Sequence, residues 1–179
     1  MSATESAALI TRIEDQERRL VLPRFDNNDA WELGTLLVEL ARARSAPVTV
    51  DIRRNGQQVF HYALPGTAAD NDSWILRKVR TVERFGHSSY LVGRRCAAEG
   101  ISFEEKSRLD PDLYAAHGGA FPISIEGTGI VGTVAVSGLP QADDHDLVVT
   151  ALERYLADRD TEARYEINSI GHNGQSPPG

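Results

Sequence analysis

The stretch Val48-Thr49-Val50-Asp51-Ile52-Arg53-Arg54-Asn55-Gly56-Gln57-Gln58-Val59-Phe60 decides the fold. Val48, Val50 and Ile52 alternate with Thr49, Asp51 and Arg53, the period-two pattern of a strand with one buried face. Asn55-Gly56 supplies the two residues that tolerate positive φ in a tight hairpin turn, so residues 57–64 return as a second strand. Further along, Phe121, Ile123 and Ile125 share one face of residues 120–126, and residues 130–136 alternate in the same way around small side chains. Gly127-Thr128-Gly129 joins them as a second hairpin. Both hairpins are expected in one antiparallel sheet of about five strands.

Outward from the hairpins the apolar spacing turns helical. Leu33, Leu36, Leu37, Leu40 and Ala41 recur on one face of a helix that Asn28 or Asp29 can cap and that ends near Arg44. Leu9, Ile13 and Leu20 give a looser stripe before Pro23, which predicts a peripheral helix. Asp70, Asn71 and Asp72 offer caps for a helix over residues 74–85 that aligns Ile75, Val79 and Val82. After Gly86 a second helix runs to about Glu99. Asp110-Pro111 suits a short helix that Gly118-Gly119 ends. Residues 141–144 lead into a helix with Leu147, Val148, Ala151, Leu152 and Tyr155 aligned, ending before the charged residues 158–164. The pattern is α/β (α+β), with helices covering the sheet of a single domain over residues 1–167. Residues 168–179, rich in Gly, Ser, Asn and Pro, have little to bury and are expected to be disordered.

Composition narrows the function classes. At 179 residues and 41% hydrophobic content the chain can build one substantial core. The net charge of −7 argues against general affinity for nucleic acid, which needs concentrated Lys and Arg. No apolar run is long enough to span a membrane, and residues 1–13 carry Glu5 without the apolar core of a secretory signal, so a cytoplasmic location is expected. A single cysteine, Cys96, excludes an internal disulfide and reads as a small buried side chain on a helix.

Two motifs mislead. Gly127-Thr128-Gly129-Ile130-Val131-Gly132 matches a dinucleotide fingerprint in letters, but it leads into a strand where that fingerprint needs a helix N-terminus for the pyrophosphate. His117-Gly118-Gly119-Ala120-Phe121 resembles the oxyanion stretch of some lipases, yet the chain lacks a G-x-S-x-G elbow. Ser137 followed by Asp144 and His145 has the order of a hydrolytic triad, but adjacency of the last two on one helix opposes a relay.

Several phrases together resemble the heme-degrading-domain (GlcG-like) family, in its uncharacterised cytoplasmic branch. They are Gly56-Gln57-Gln58-Val59-Phe60; Asp70-Asn71-Asp72-Ser73-Trp74-Ile75 with Arg77-Lys78; His117 to Ile123; and Val136-Ser137-Gly138-Leu139-Pro140-Gln141 before Asp143-Asp144-His145. The resemblance implies a profilin-like fold, three layers with the sheet between helices, assembled into a homo-oligomer. It also implies haem as a cofactor to consider, although no C-x-x-C-H signature is present.

The candidate site follows from chemistry. His117, Gly118, Gly119 and Ser137 would line a ligand pocket, because glycines allow close backbone approach and loops gather functional side chains. Arg77 and Lys78 would neutralise a ligand carboxylate or phosphate. His117, Asp144 and His145 have the donor types for a divalent metal. His61, His87, Trp31 and Trp74 read as structural residues, and His172 falls in the expected tail. Three functions remain open at this point: a small-molecule or haem-binding homo-oligomer without assigned catalysis, a metal-dependent enzyme using His117, His145 and Asp144, and a structural or partner-binding oligomer.

Overall fold

A computed structural model describes the backbone over residues 2–172. The elements run α1 (Ala3–Arg19), β1 (Val21–Leu22), α2 (Asn27–Ala43), β2 (Thr49–Arg54), β3 (Gln57–Ala63), α3 (Ala69–Phe85), α4 (Ser89–Ala98), α5 (Phe103–Ser107), β4 (Ala120–Ile125), β5 (Gly129–Ser137) and α6 (Gln141–His172). The sheet order is β1-β4-β5-β2-β3. Both expected hairpins are present, with Asn55 at φ 49° and Gly56 at φ 80° as their turn requires. The central pair β2–β5 is antiparallel, setting Val50 opposite Val136 and Ile52 opposite Val134.

Several sequence expectations need correction. The sheet is not wholly antiparallel: the two-residue β1 adds to the edge of β4 in parallel. Asp26, not Asn28 or Asp29, caps α2, while the Asp29 carboxylate accepts from the Asp26 N–H and completes a capping box. None of Asp70, Asn71 or Asp72 is the N-cap of α3. The cap is Ala68, whose N–H donates to Asn71 Oδ1. The short helix is α5, opened by a Ser102–Glu105 capping box, and residues 109–117 form no helix. The last helix runs through residues 158–164 to His172, into the segment expected to lack structure; residues 173–179 lie outside the described residues.

Helices cover both faces of the sheet in three layers. On one face Val48, Val50, Ile52, Phe121, Ile123, Val134 and Val136 pack with Leu33 and Leu37 of α2 and Leu147, Val148 and Leu152 of α6 in the main core. On the other, α3 sets Ile75, Val79 and Val82 against Ala120 and Ala135. The same face carries buried Thr49, Asp51, Thr133 and Ser137. The helix α4 lies beside α3, and α1 packs across α4 through Ile13, Tyr90 and Leu91. Among the described residues no helix is long and apolar enough to cross a membrane.

Candidate functional site

The strand β5 ends at Ser137, and the segment before β4 ends beside it, because β4 and β5 are hairpin partners with Ala120 opposite Ala135. That return brings Gly118 and Ser137 to one end of the sheet, where α3 and the first turn of α6 meet them. A cleft of about 250 Å³ opens there, lined by Asp70, Asn71, Trp74, Lys78, His117, Gly118, Ser137, Gly138, Leu139, Gln141 and Asp144. Its floor is backbone. A side chain at Gly118 would collide with the Gln141 carbonyl, and one at Gly119, held at φ 122°, would come within 2.5 Å of both Lys78 Nζ and the Val136 carbonyl oxygen.

The lining includes a buried ion pair. Lys78 Nζ donates to the Gly118 carbonyl at 2.9 Å, the Val136 carbonyl at 2.7 Å and Asp144 Oδ2 at 3.1 Å. These contacts use all three ammonium donors. Burial lowers the Lys78 pKa and raises that of Asp144, and in each the partner's charge opposes the shift. Asp144 Oδ1 also accepts from the Leu139 N–H at 3.0 Å. The pair therefore ties α3, the 118 loop, β5 and α6 together, and it engages the ammonium expected to neutralise a ligand.

His117 stands at the exposed rim. Its ring meets the Trp74 indole edge-to-face at a centroid distance of 5.2 Å. Partial burial, with the Lys78, Arg77 and Arg94 charges, lowers its pKa against an opposing contribution from Glu104, so the imidazole is neutral at pH 7. The Trp74 Nε1 donates to Asp70 at 3.1 Å, and the Arg77 guanidinium stacks 3.8 Å from the centre of the same indole ring. Asn71 Nδ2 donates to the Ser137 carbonyl at 3.2 Å.

The structure brings together His117, Gly118, Ser137, Lys78 and Asp144, with Gly119 under the floor and Arg77 stacked on Trp74 outside the cleft lining. It does not bring His145 to them. His145 is buried, its Nε2 is 2.8 Å from Gln16 Oε1 on α1, and its ring lies against Tyr90 and Phe121. The expected metal set of His117, Asp144 and His145 is thereby corrected: among the described residues no three His, Cys, Asp or Glu side chains converge to hold a metal. The cause is helical geometry, since neighbours in an α-helix project roughly 100° apart. Asp144 faces the cleft and His145 the core.

Sequence reading missed Asp70, Asn71, Trp74 and Gln141 as cleft residues. Asp70, Trp74 and Lys78, spaced four apart, make one stripe along α3, and that spacing was the available signal. The other structural readings hold in outline. His61 bridges Asp51 and Asp72 at 3.5 and 3.4 Å, His87 contacts Glu17 at 2.7 Å, and Cys96 is buried. Trp31, expected in a core or an interface, is 66% exposed.

A five-stranded sheet sandwiched between helices, with a small polar cleft where α3 and α6 meet the sheet end, defines a three-layer α/β class of protein. Residues 25–153 match the family described as Haem degrading protein HbpS-like, and the chain belongs to that family. It is 63% identical over 158 residues to a UPF0303 protein of Streptomyces coelicolor, covering 88% of this chain and 100% of that one. Among solved structures it is similar to the Ybr137w protein, with a TM-score of 0.78 and 35% identity over 84% of this chain and 88% of that one. It also shares its fold with a PduOC:Heme complex, at a TM-score of 0.62 and 20% identity, covering 72% and 93% of the two chains.

Proposed function

We propose that this protein binds a small polar molecule in the cleft between α3, the His117 loop and the start of α6. One observation carries the reading. Lys78 and Asp144, deep in the cleft lining, satisfy each other, while His117 and the Ser137 hydroxyl, which have no hydrogen-bond partner among the described residues, remain for a ligand. A neutral imidazole and a hydroxyl both donate and accept, which suits a small molecule with its own polar groups.

Haem is the group that the family name and the PduOC:Heme complex bring to mind, and the residues present do not fit it. The cleft of about 250 Å³ falls below the roughly 300 to 1,000 Å³ of sites that enclose drug-sized ligands, and its wall is mainly polar where a macrocycle needs apolar contact. His145, the other imidazole expected at the site, faces away. The test is a haem titration read at the Soret band, beside NMR mapping with small polar fragments. Shifts confined to Trp74, His117, Ser137 and Gln141, without a saturable Soret change, are expected. A stoichiometric Soret band that His117→Ala abolishes would overturn the reading in favour of haem.

A homo-oligomer is the second element of the proposal, favoured by the free edge of the sheet. β3 ends the sheet order, contains no Lys, Arg, Asp or Glu, carries exposed Tyr62, and sets Phe60 against exposed Trp31 of α2. Such an edge lacks the charges and prolines that discourage strand addition. A second copy can pair with it across a two-fold axis. Light scattering should then report a mass above that of the monomer, reduced by Trp31→Glu. A monomer at micromolar concentration removes this part. The acidic net charge and the lone buried cysteine support a cytoplasmic location without nucleic acid as a partner.

A further inference from the structure

We propose that the corner between α3, α4 and α5 is a second ligand site, suited to a small monocarboxylic acid that carries one aromatic ring. A pocket of about 300 Å³ opens there and shares no residue with the polar cleft. Val92, Cys96 and Phe103 form its buried wall. Phe85, the last residue of α3 and 39% exposed, closes one side, its ring edge-to-face on Phe103 at a centroid distance of 5.7 Å. Two rings set at 72° offer a third ring both a face and an edge. Burial raises the Cys96 pKa, with Glu99 and Glu104 adding to the shift against Lys106, so the thiol is neutral at pH 7 and serves as wall.

The mouth of this pocket is basic. Apart from the thiol, its ionisable lining residues are His87, Arg95 and Lys106, and no carboxylate is among them. Each base meets an acid that stands outside the lining. His87 Nδ1 lies 2.7 Å from Glu17, Arg95 donates to Glu14 at 2.8 Å, and Lys106 donates to both oxygens of Glu99 at 2.5 Å. These partners leave donors unused. Among the described residues Arg95 gives one of its five N–H groups to Glu14, and Lys106 gives two of its three to a single carboxylate. Both pairs are open to solvent, with Arg95 40% and Lys106 44% exposed, and exposed pairs are weak in water.

An acid with a ring uses both halves of this arrangement. The ring displaces water from Phe85, Phe103 and Val92, and the carboxylate accepts from the unused N–H groups of Arg95 and Lys106 at the mouth. The surrounding acids narrow the choice to a single negative charge. Glu99 ends α4 and Glu104 lies in the first turn of α5, both exposed, so a second carboxylate on the ligand would meet repulsion from them. Glu99 also competes with the ligand for Lys106. Removing its charge should therefore tighten binding, an effect that an apolar pocket without a carboxylate subsite does not produce.

The test uses 3-phenylpropionate, its uncharged analogue 3-phenylpropanamide and ring-free propionate, with calorimetry for affinity and NMR of the Val92 methyls and the Phe85 ring for location. 3-Phenylpropionate should bind and shift those resonances, with the amide and propionate each weaker by roughly tenfold. Arg95→Gln with Lys106→Gln should bring the acid down to the affinity of the amide. Glu99→Gln should tighten the acid severalfold and leave the amide unchanged. Urea unfolding reports whether the double variant still folds; if it does not, Glu99→Gln, a single change at an exposed position, decides the matter alone. Equal affinities for acid and amide, or an acid affinity that Glu99→Gln leaves unmoved, overturn the inference. So do Val92 and Phe85 resonances silent to all three probes. The cleft reading stands or falls separately, on the resonances of Trp74, His117 and Gln141.

Discussion

The two faces of the sheet are built from the same five strands and do different work. The face toward α2 and α6 is apolar throughout, with Val50, Ile52, Phe121, Ile123, Val134 and Val136 buried against leucines and valines. The face toward α3 buries only small or branched apolar residues, interleaved with Thr49, Asp51, Thr133 and Ser137 and ending at the Lys78–Asp144 pair. One face supplies stability from area removed from water. The other spends part of that stability to fix polar groups in place, and the cleft opens at its end. Strand alternation makes such a division possible, because each residue's neighbours belong to the opposite face.

The largest effects should come from breaking either face at its centre. Phe121→Ala should destabilise by about 3–5 kcal/mol through lost transfer energy and a cavity, measured by urea unfolding. Lys78→Met should cost a comparable amount, roughly 3–5 kcal/mol, by stranding the buried Asp144 carboxylate. The two differ in repair: Lys78→Met combined with Asp144→Leu should recover much of the loss, since an apolar pair can replace a buried ion pair. Without that recovery, the polar face would be stabilising in its own right and the contrast between faces would fail.

Acid should come next. Burial depresses the His145 pKa from 6.5 to about 4, the Arg12 charge adding to the effect. Above pH 6.5 its contribution is fully present. As pH falls below about 6.5 the unfolded chain takes up a proton that the native state refuses until about pH 4, so stability drops across that window by on the order of 3 kcal/mol. Urea midpoints from pH 7 to pH 4 should show this loss, and His145→Leu should flatten it. A midpoint in the parent protein independent of pH over that range contradicts the assignment of His145 as a buried neutral group.

Smaller and opposite in sign, Thr133→Val should stabilise by about 1 kcal/mol, because Thr133 Oγ1 is buried without a partner on the α3 face. The converse change one residue on, Val134→Thr, should destabilise by about 1–3 kcal/mol by placing a hydroxyl in the apolar face. His117→Ala should have the least effect on folding, within about 0.5 kcal/mol, while weakening ligand binding at the cleft. Equal signs at positions 133 and 134 would mean that the two faces are energetically alike.

What the sequence made legible was the periodic part of the molecule. Asn55-Gly56 and Gly127 to Gly129 announce turns through backbone chemistry, and the strands around them alternate cleanly, so both hairpins and the layered architecture follow. The two-residue β1 was invisible because Val21-Leu22 is too short to show a period, and its pairing with β4 is a tertiary fact. The caps of α2 and α3 lay outside the residues chosen because Asp29 and Asn71 act from the third helical position, returning bonds to the cap backbone. At the site, His117, Gly118 and Ser137 could be joined because one hairpin returns the chain to the same edge. The separation of His145 from Asp144 could not be read from their types, only from the rotation between neighbours on α6.

The backbone floor of the cleft also sets how this protein can diverge. At positions 118 and 119 any side chain would drive into the Gln141 carbonyl, the Val136 carbonyl or the ammonium of Lys78. Substitution there is closed, and Lys78 and Asp144 can change only together. The rim is under no such restriction: Asp70, Trp74 and His117 can each be exchanged without disturbing that floor, whereas Gln141 accepts from the Gly118 N–H through its side chain. Descendants of this chain can acquire a new ligand by altering those rim side chains while inheriting the same scaffold beneath them, so divergence in specificity should concentrate at the rim.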